Sequence, residues 1–454
     1  MERESFTQDD FINSIERLKK IKLWGFNGYD PEHFLFWALF QNMLYNWQGR
    51  KVKAILARFL KNYSTFQLKN PEGKIIFYQS NKYHNRRDMV EIIRKFTGCD
   101  NRITVLKEKP VKQYFPQVIL YTPCAFQWLI SFYKAGFTGS TLVDLMCFSM
   151  DTLKLLRVLE KKKRNLCNAQ AFVVLNDEYC DENIFIQFGK KYSIPTATLQ
   201  HGAFSKTITG GSLAQYEHTA ANFTADRILV HSQYQKHLAM GEGIPENRII
   251  VAGIHKFINT ELEQRRVSYG QFGVVLSGTI PGLDDINPNL INIANAFAED
   301  HNYQYIIKLH PSNNEENYFS LYHDRCYNGT ADKGESIIEF VKKIDFAIVG
   351  ITSCFFELVY MGIPVFRLYD PGKVDIYEDL KFGRFSNIGE LDAQYSRMSI
   401  YPDQYKKEMN EFKEYCCGKG DVTENYRRAL TDLTELNPKR PHSVFSKCDK
   451  REEE

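Results

Sequence analysis

Two doubly wound α/β domains facing each other across a cleft are what this sequence predicts, and three observations carry the expectation. From Lys74 to Gly253 the short apolar runs KIIFYQS, QVILYTP, AFVVLND, IPTATLQHG, DRILVHS and RIIVAGI each end in small or polar residues. Helix-suited segments such as Asp88 to Phe96 and Thr141 to Leu159 alternate with them, the pattern of a parallel sheet covered on both faces. After a polar connector with Glu261, Glu263, Arg265 and Arg266 the rhythm resumes: FGVVLSG, a helix over Leu290 to Ala298, YQYIIKLHPS, and a helix over Ser336 to Lys343. The third observation is the stretch Ile344 to Arg367, IDFAIVGITSCFFELVYMGIPVFR. An apolar run ends at Gly350, Thr352 and Ser353 stand where a helix begins, Phe355, Phe356, Val359 and Tyr360 keep helical spacing, and Gly362 precedes a second apolar run.

At the amino-terminal side a cap at Thr7 and the apolar residues Phe11, Ile12, Ile15 and Leu18 predict an amphipathic helix over residues 5–23. HFLFWALFQNMLYNW follows, then a basic amphipathic stretch holding Arg50, Lys51, Lys53, Arg58 and Lys61. Aromatic residues beside basic ones suit an anionic membrane surface, so peripheral membrane contact through residues 33–61 is one expectation; an aromatic core helix is the other. A last helix is expected over Thr423 to Leu436. The predicted division is residues 1–256, 257–436 and a polar tail, 437–454, whose mixed charges predict disorder.

Composition excludes several classes. With 58 Lys and Arg against 55 Asp and Glu the net charge is +3, too small for a nucleic-acid binder. The longest basic run, Lys161 to Arg164, reads as a solvated helix end. Ten cysteines without a CxxC pair point to reduced thiols, not a disulfide framework or a metal site. The stretch MERESFTQDD lacks the apolar core expected of a signal peptide, and no run approaches the roughly 20 apolar residues that span a bilayer. The expected location is cytoplasmic, at most at the inner face of a membrane.

Chemistry is expected where strands hand over to helices, because ligands of open α/β sheets bind at the carboxyl ends of strands and helix N-termini attract phosphate. Three such ends carry suitable groups. In TLQHGAF, His201 stops a strand and Gly202 lets the backbone turn; a histidine there titrates near neutrality and can take a proton from an attacking hydroxyl. In IIKLHPS, Lys308 and Ser312 flank His310, and Pro311 makes the turn rigid, so that His310 can donate to a phosphate and stabilise a leaving nucleotide. In ITSCFFE, Thr352 and Ser353 offer hydroxyls and N–H groups, and Glu357, one turn on, can accept from ribose hydroxyls.

These motifs in this order resemble the GT-B glycosyltransferase architecture, with its two Rossmann-like domains. More narrowly, the chain looks like bacterial surface-polymer transferases that use cytidine-activated donors: the CDP-glycerol glycerophosphotransferases of teichoic acid synthesis and capsular polysialyl- and Kdo-type transferases. The likeness covers about residues 170–370, in AFVVLNDEYCDENIFIQFGKKYSIPTATLQHGAF, ADRILVHSQYQKHLAMGEGIPENRIIVAGI, YQYIIKLHPS and SIIEFVKKIDFAIVGITSCFFELVYMGIPVF. The resemblance implies a donor held in the second domain by His310, Pro311, Thr352 and Ser353, and His201 as base. The glycerophosphotransferases tend to show an aromatic residue before HG and TP after it, whereas Gln200, Ala203 and Phe204 stand here, closer to capsule proteins. Sialyltransferase-like members use a carboxylate as base, which makes Asp177, at the end of AFVVLND, the second candidate.

The expected activity is therefore transfer of a sugar or polyol-phosphate from a CMP- or CDP-linked donor to a surface-polysaccharide or lipid-linked acceptor. With no D-x-D motif in the chain, neither a metal nor another cofactor is expected. The alternatives are a UDP-sugar transferase or a UDP-GlcNAc 2-epimerase-like enzyme and, in another class, a non-catalytic glycan-binding or assembly protein.

Overall fold

The computed structural model describes residues 8–44, 55, 63–67, 71–80, 87–111, 121–200, 202–204, 222–260, 269–278, 285–332, 334–372 and 375–436. Among them run thirteen strands: β1 Tyr63–Gln67, β2 Ile75–Gln79, β3 Ile103–Val111, β4 Ala171–Val174, β5 Thr196–Leu199, β6 Arg227–Val230, β7 Ile249–Val251, β8 Gln271–Val275, β9 Gln304–Lys308, β10 Tyr327–Thr330, β11 Ala347–Val349, β12 Val365–Leu368 and β13 Arg384–Phe385. They form two sheets, in the orders β1-β3-β2-β4-β5-β6-β7 and β10-β9-β8-β11-β12-β13. Every pairing is parallel except β1 with β3.

Successive residues of the first sheet feed two cores, as the alternation of side chains across a strand requires. Ile76, Tyr78, Phe172 and Val174 face a thick helical layer containing Gln8–Lys19, Phe36–Leu44, Thr122–Lys134, Gly139–Lys161 and Cys180–Lys191. Ile75, Phe77, Ala171 and Val173 face the opposite side, where the helix Arg87–Cys99 supplies Met89, Ile93 and Phe96. The last helix, Val422–Glu435, returns from the far end of the chain to this same face and buries Val422, Tyr426, Ala429, Leu430 and Leu433 there. Tyr426 Oη donates to the Gly253 carbonyl at 3.1 Å and Arg427 Nε to that of Cys99 at 2.7 Å. The second sheet lies in a single core with Ile286–His301, Cys354–Tyr360 and Pro402–Cys417.

One expectation changes here, and two fall on residues that the structure does not describe. The described part of the 33–61 stretch packs into the core: Phe34, Leu35, Leu39 and Phe40 are at most 1% exposed, and His33, Trp37 and Gln41 are half-buried. Membrane contact through residues 33–40 is thereby corrected; apart from Ile55, residues 45–61 lie outside the described residues. The strand expected in QVILYTP falls on residues 117–120, also outside them, and its TP opens the helix Thr122–Lys134, with proline in the first turn where its missing N–H costs nothing. The tail 437–454 is outside as well. Among the described residues no helix is long and apolar enough to cross a membrane.

Candidate functional site

In both sheets the strand order reverses, between β2 and β4 in the first and between β8 and β11 in the second, and such switch points locate the ligand-binding ends. In the second sheet the chain runs β8, β9, β10 outward and then β11, β12, β13 the other way, so β8 and β11 part company at their carboxyl ends. Ser277 and Gly278 follow β8, His310 to Ser312 follow β9 on its other side, and Gly350 to Ser353 follow β11. Three neighbouring strands thus bring the IIKLHPS and ITSCFFE turns to the same edge.

Gly278 is where they meet. A methyl group there would sit 3.0 Å from the imidazole of His310, so the ring lies flat against a backbone without a side chain. A side chain at Gly350 would collide with Ser277 Oγ, which is buried there without a hydrogen-bond partner. The turn is pinned from behind: Asn287 accepts from Ser277 N–H at 2.8 Å and donates to its carbonyl at 3.0 Å, and Asn313 donates to that carbonyl at 2.8 Å. Sequence reasoning passed over Ser277 and Gly278, although the SG that ends FGVVLSG is the same signal as the small residues read at β11.

His310 is exposed, and its Nδ1 accepts from Ser312 N–H at 3.2 Å while Ser312 Oγ stands 2.7 Å away. An Nδ1 that accepts leaves the proton of a neutral ring on Nε2. Thr352 caps the helix Cys354–Tyr360, its Oγ1 accepting from Cys354 N–H at 3.3 Å, whereas Ser353 makes no side-chain cap bond and stays exposed. Of the two hydroxyls it is therefore Ser353 that the helix does not use as a cap. Lys308 and Glu357 are turned to other tasks. Lys308 Nζ donates to the Glu335 carbonyl at 2.7 Å, and burial holds its pKa below the ordinary lysine range. Glu357, 5% exposed, pairs with Lys256 Nζ at 2.6 Å. That ion pair ties the segment after β7 to the second domain, as does Phe257 stacked on Tyr360 at 4.2 Å.

In the first domain His201 lies outside the described residues, but its flanks do not. Gln200 accepts from His231 N–H at 2.8 Å and donates to Gly202 O at 2.5 Å and to Gln235 Oε1 at 2.7 Å; Phe204 N–H also donates to Gln235 Oε1, at 2.5 Å. A glutamine in place of an aromatic residue thus serves as the clamp of the turn on both sides of position 201. Asp177, at the end of β4, is 3% exposed, and its Oδ2 accepts from Thr224 N–H at 2.8 Å, Ala225 N–H at 2.9 Å and Thr224 Oγ1 at 3.2 Å. Burial raises its pKa and these bonds, with His33, oppose the rise. The structure makes this carboxylate the anchor of the loop entering β6.

Because a methyl group at position 278 would crowd the His310 ring at 3.0–3.2 Å and shift it, Gly278→Ala is expected to weaken nucleotide binding about tenfold, a loss of ~1.4 kcal/mol, with the unfolding midpoint nearly unchanged. Calorimetric titration measures it; unaltered affinity would remove Gly278 from the site.

No protein-family model matches the sequence, and no curated protein does. Solved structures do resemble the fold. The UDP-N-acetylglucosamine 2-epimerase assigned in Listeria monocytogenes superposes with a TM-score of 0.52 at 11% identity, covering 82% of this chain and 98% of that one. The S. aureus MnaA protein, solved with UDP, gives 0.50 at 12%, covering 81% and 99%. The wall teichoic acid polymerase TagF gives 0.44 at 12%, covering 90% and 98%. Two doubly wound sheets and the likeness to the first two of these structures together establish the architecture: the chain has the GT-B fold, two Rossmann-like domains facing across a cleft.

Proposed function

We propose that this chain is a metal-independent transferase that moves a sugar or polyol-phosphate from a CMP- or CDP-linked donor to a surface-polysaccharide or lipid-linked acceptor. The observation that carries the reading is the His310 ring seated on Gly278 at the β8–β11 switch point, with the Ser353 hydroxyl on the neighbouring strand end. An Nε2 donor and a hydroxyl at the carboxyl ends of parallel strands suit a phosphate that gains charge as its bond breaks. His201 is the base in this reading. It removes the proton of an acceptor hydroxyl, the oxygen bonds to the anomeric carbon of a CMP-sugar or to the outer phosphorus of a CDP-polyol, and the bond to CMP breaks. CMP leaves with the electron pair, and a sugar would invert in the single displacement. The lack of a D-x-D motif supports neutralisation by protein groups, not by a metal.

The test has two arms. CMP, CDP and UDP are titrated while thermal unfolding is followed; a nucleotide at 100 times its dissociation constant stabilises by about 2.7 kcal/mol. Stabilisation by the cytidine nucleotides, lost in His310→Ala, is expected; stabilisation by UDP alone would move the chain to the UDP-sugar enzymes. Donor turnover is then measured in His201→Ala, where a loss of 10²-fold or more is expected of a general base. Full turnover with an intact fold would remove His201 from the mechanism.

A further inference from the structure

The helix Thr122–Lys134 buries Cys124, Ala125, Trp128 and Phe132 against its neighbours and turns a second apolar stripe outward. Phe126, Leu129, Ile130 and Tyr133, at i, i+3, i+4 and i+7, are 65, 40, 40 and 67% exposed. Trp24, 60% exposed, is fastened beside them: its N–H donates to Gln127 Oε1 at 3.1 Å and its carbonyl accepts from Trp128 Nε1 at 2.9 Å. Large apolar side chains scattered singly over a surface are ordinary, but two rings, two aliphatic chains and an indole on one face mark a contact site.

Charge identifies what makes the contact. From Arg17 to Trp24 the chain carries Arg17, Lys19, Lys20 and Lys22 and no carboxylate, and from Tyr121 to Phe137 its sole charge is Lys134. These segments touch: Gln127 donates to the Lys22 carbonyl at 2.9 Å, and the Arg17 guanidinium lies over the Phe137 ring, 5.9 Å from its centroid. The nearest carboxylate in the chain, Glu16, is paired with Lys19. An apolar crown with a cationic rim is the complement of an anionic bilayer surface, in which aromatic and aliphatic side chains enter the headgroup boundary and lysines meet lipid phosphates. A second copy of the chain fits poorly, since a two-fold contact would press the same cations together.

We infer that this face docks the protein on an anionic lipid bilayer, with Trp24, Phe126, Leu129, Ile130 and Tyr133 inserted and Arg17, Lys20, Lys22 and Lys134 on the headgroups. The inference stands on this surface alone and is independent of which donor the cleft takes.

The full chain is sedimented with vesicles of phosphatidylcholine alone and with vesicles of equal parts phosphatidylcholine and phosphatidylglycerol. Binding to the second and not the first is expected, weakening as salt is raised. Phe126→Ser with Tyr133→Ser, and separately Lys20→Glu with Lys22→Glu, should each lower the partition coefficient at least about tenfold while leaving the unfolding midpoint in place. Failure of the unaltered chain to bind the anionic vesicles would overturn the proposal, as would both double variants binding like it. A concentration-dependent dimer abolished by Phe126→Ser with Tyr133→Ser would give the face to a second copy instead. None of these readouts depends on catalysis, so a failure here leaves the proposed transfer reaction standing, and the converse.

Discussion

Arg367→Ala is expected to lower the free energy of unfolding by about 3–5 kcal/mol, the cost of breaking a buried ion pair from one side. Arg367 is fully buried at the middle of β12, and its guanidinium forks onto Asp375, Nη1 to Oδ1 at 2.7 Å and Nη2 to Oδ2 at 3.1 Å. Nη2 also donates to the carbonyls of Tyr377 and Leu380, at 3.1 and 3.3 Å. The side chain thereby holds the segment that leads from β12 to β13. Lysine keeps the charge but cannot fork, so Arg367→Lys should recover only part of the loss. Because Asp375 is left buried by the first change, Arg367→Ala with Asp375→Ala should cost clearly less than the sum of the two single variants. Urea unfolding of the four proteins measures this; strict additivity would show that the two side chains act independently.

The second large effect concerns Asp177. Asp177→Ala strands the N–H groups of Thr224 and Ala225 in the interior and is expected to cost about 2–5 kcal/mol, whereas Asp177→Asn keeps an acceptor and should cost much less. The same pair separates anchor from base: an anchor leaves donor turnover in Asp177→Asn near the unaltered level, and a base does not. There is also a pH signature. The folded-state pKa is raised, so the folded protein holds this proton more tightly than the unfolded chain, whose carboxyl titrates near about 3.9. That contribution is complete below the unfolded value and is lost as pH rises through the folded one. The stability gap between Asp177→Asn and the unaltered chain should therefore vary with pH from about 4 upward and be flat if the carboxylate titrates normally.

Much of this architecture was legible because parallel strands write themselves as uninterrupted apolar runs. KIIFYQS, AFVVLND and FGVVLSG each became a strand ending within a few residues of the expected place. β3 escaped because Lys107, Glu108 and Lys109 and then Pro110 interrupt ITVLKEKPV; its far side pairs only with the peripheral, antiparallel β1, where charge is tolerated. At the candidate site, the residues proposed to bear chemistry announced themselves by type, and the residues that make room did not. His310 was visible as a histidine at a strand end, but nothing in the string says that Gly278 lies beneath its ring, since that contact joins turns 32 positions apart. Glu357 and Lys308 were chosen by charge and position, and their partners Lys256 and the Glu335 carbonyl come from packing that no local pattern encodes.

The return of the helix Val422–Glu435 to the first sheet has a consequence for how the molecule comes into being. A ribosome delivers the strands of that sheet by Val251, yet Val422, Tyr426, Ala429, Leu430 and Leu433, which complete a face that the helix Arg87–Cys99 covers only in part, are not all made until the chain has reached Leu433. At ordinary elongation rates the interval is about 10–40 s, long for an apolar surface to stand open. The amino-terminal half thus waits, unfinished and adhesive, for the carboxyl-terminal half to be built. Nascent chains halted between the two points should be the ones that chaperones hold.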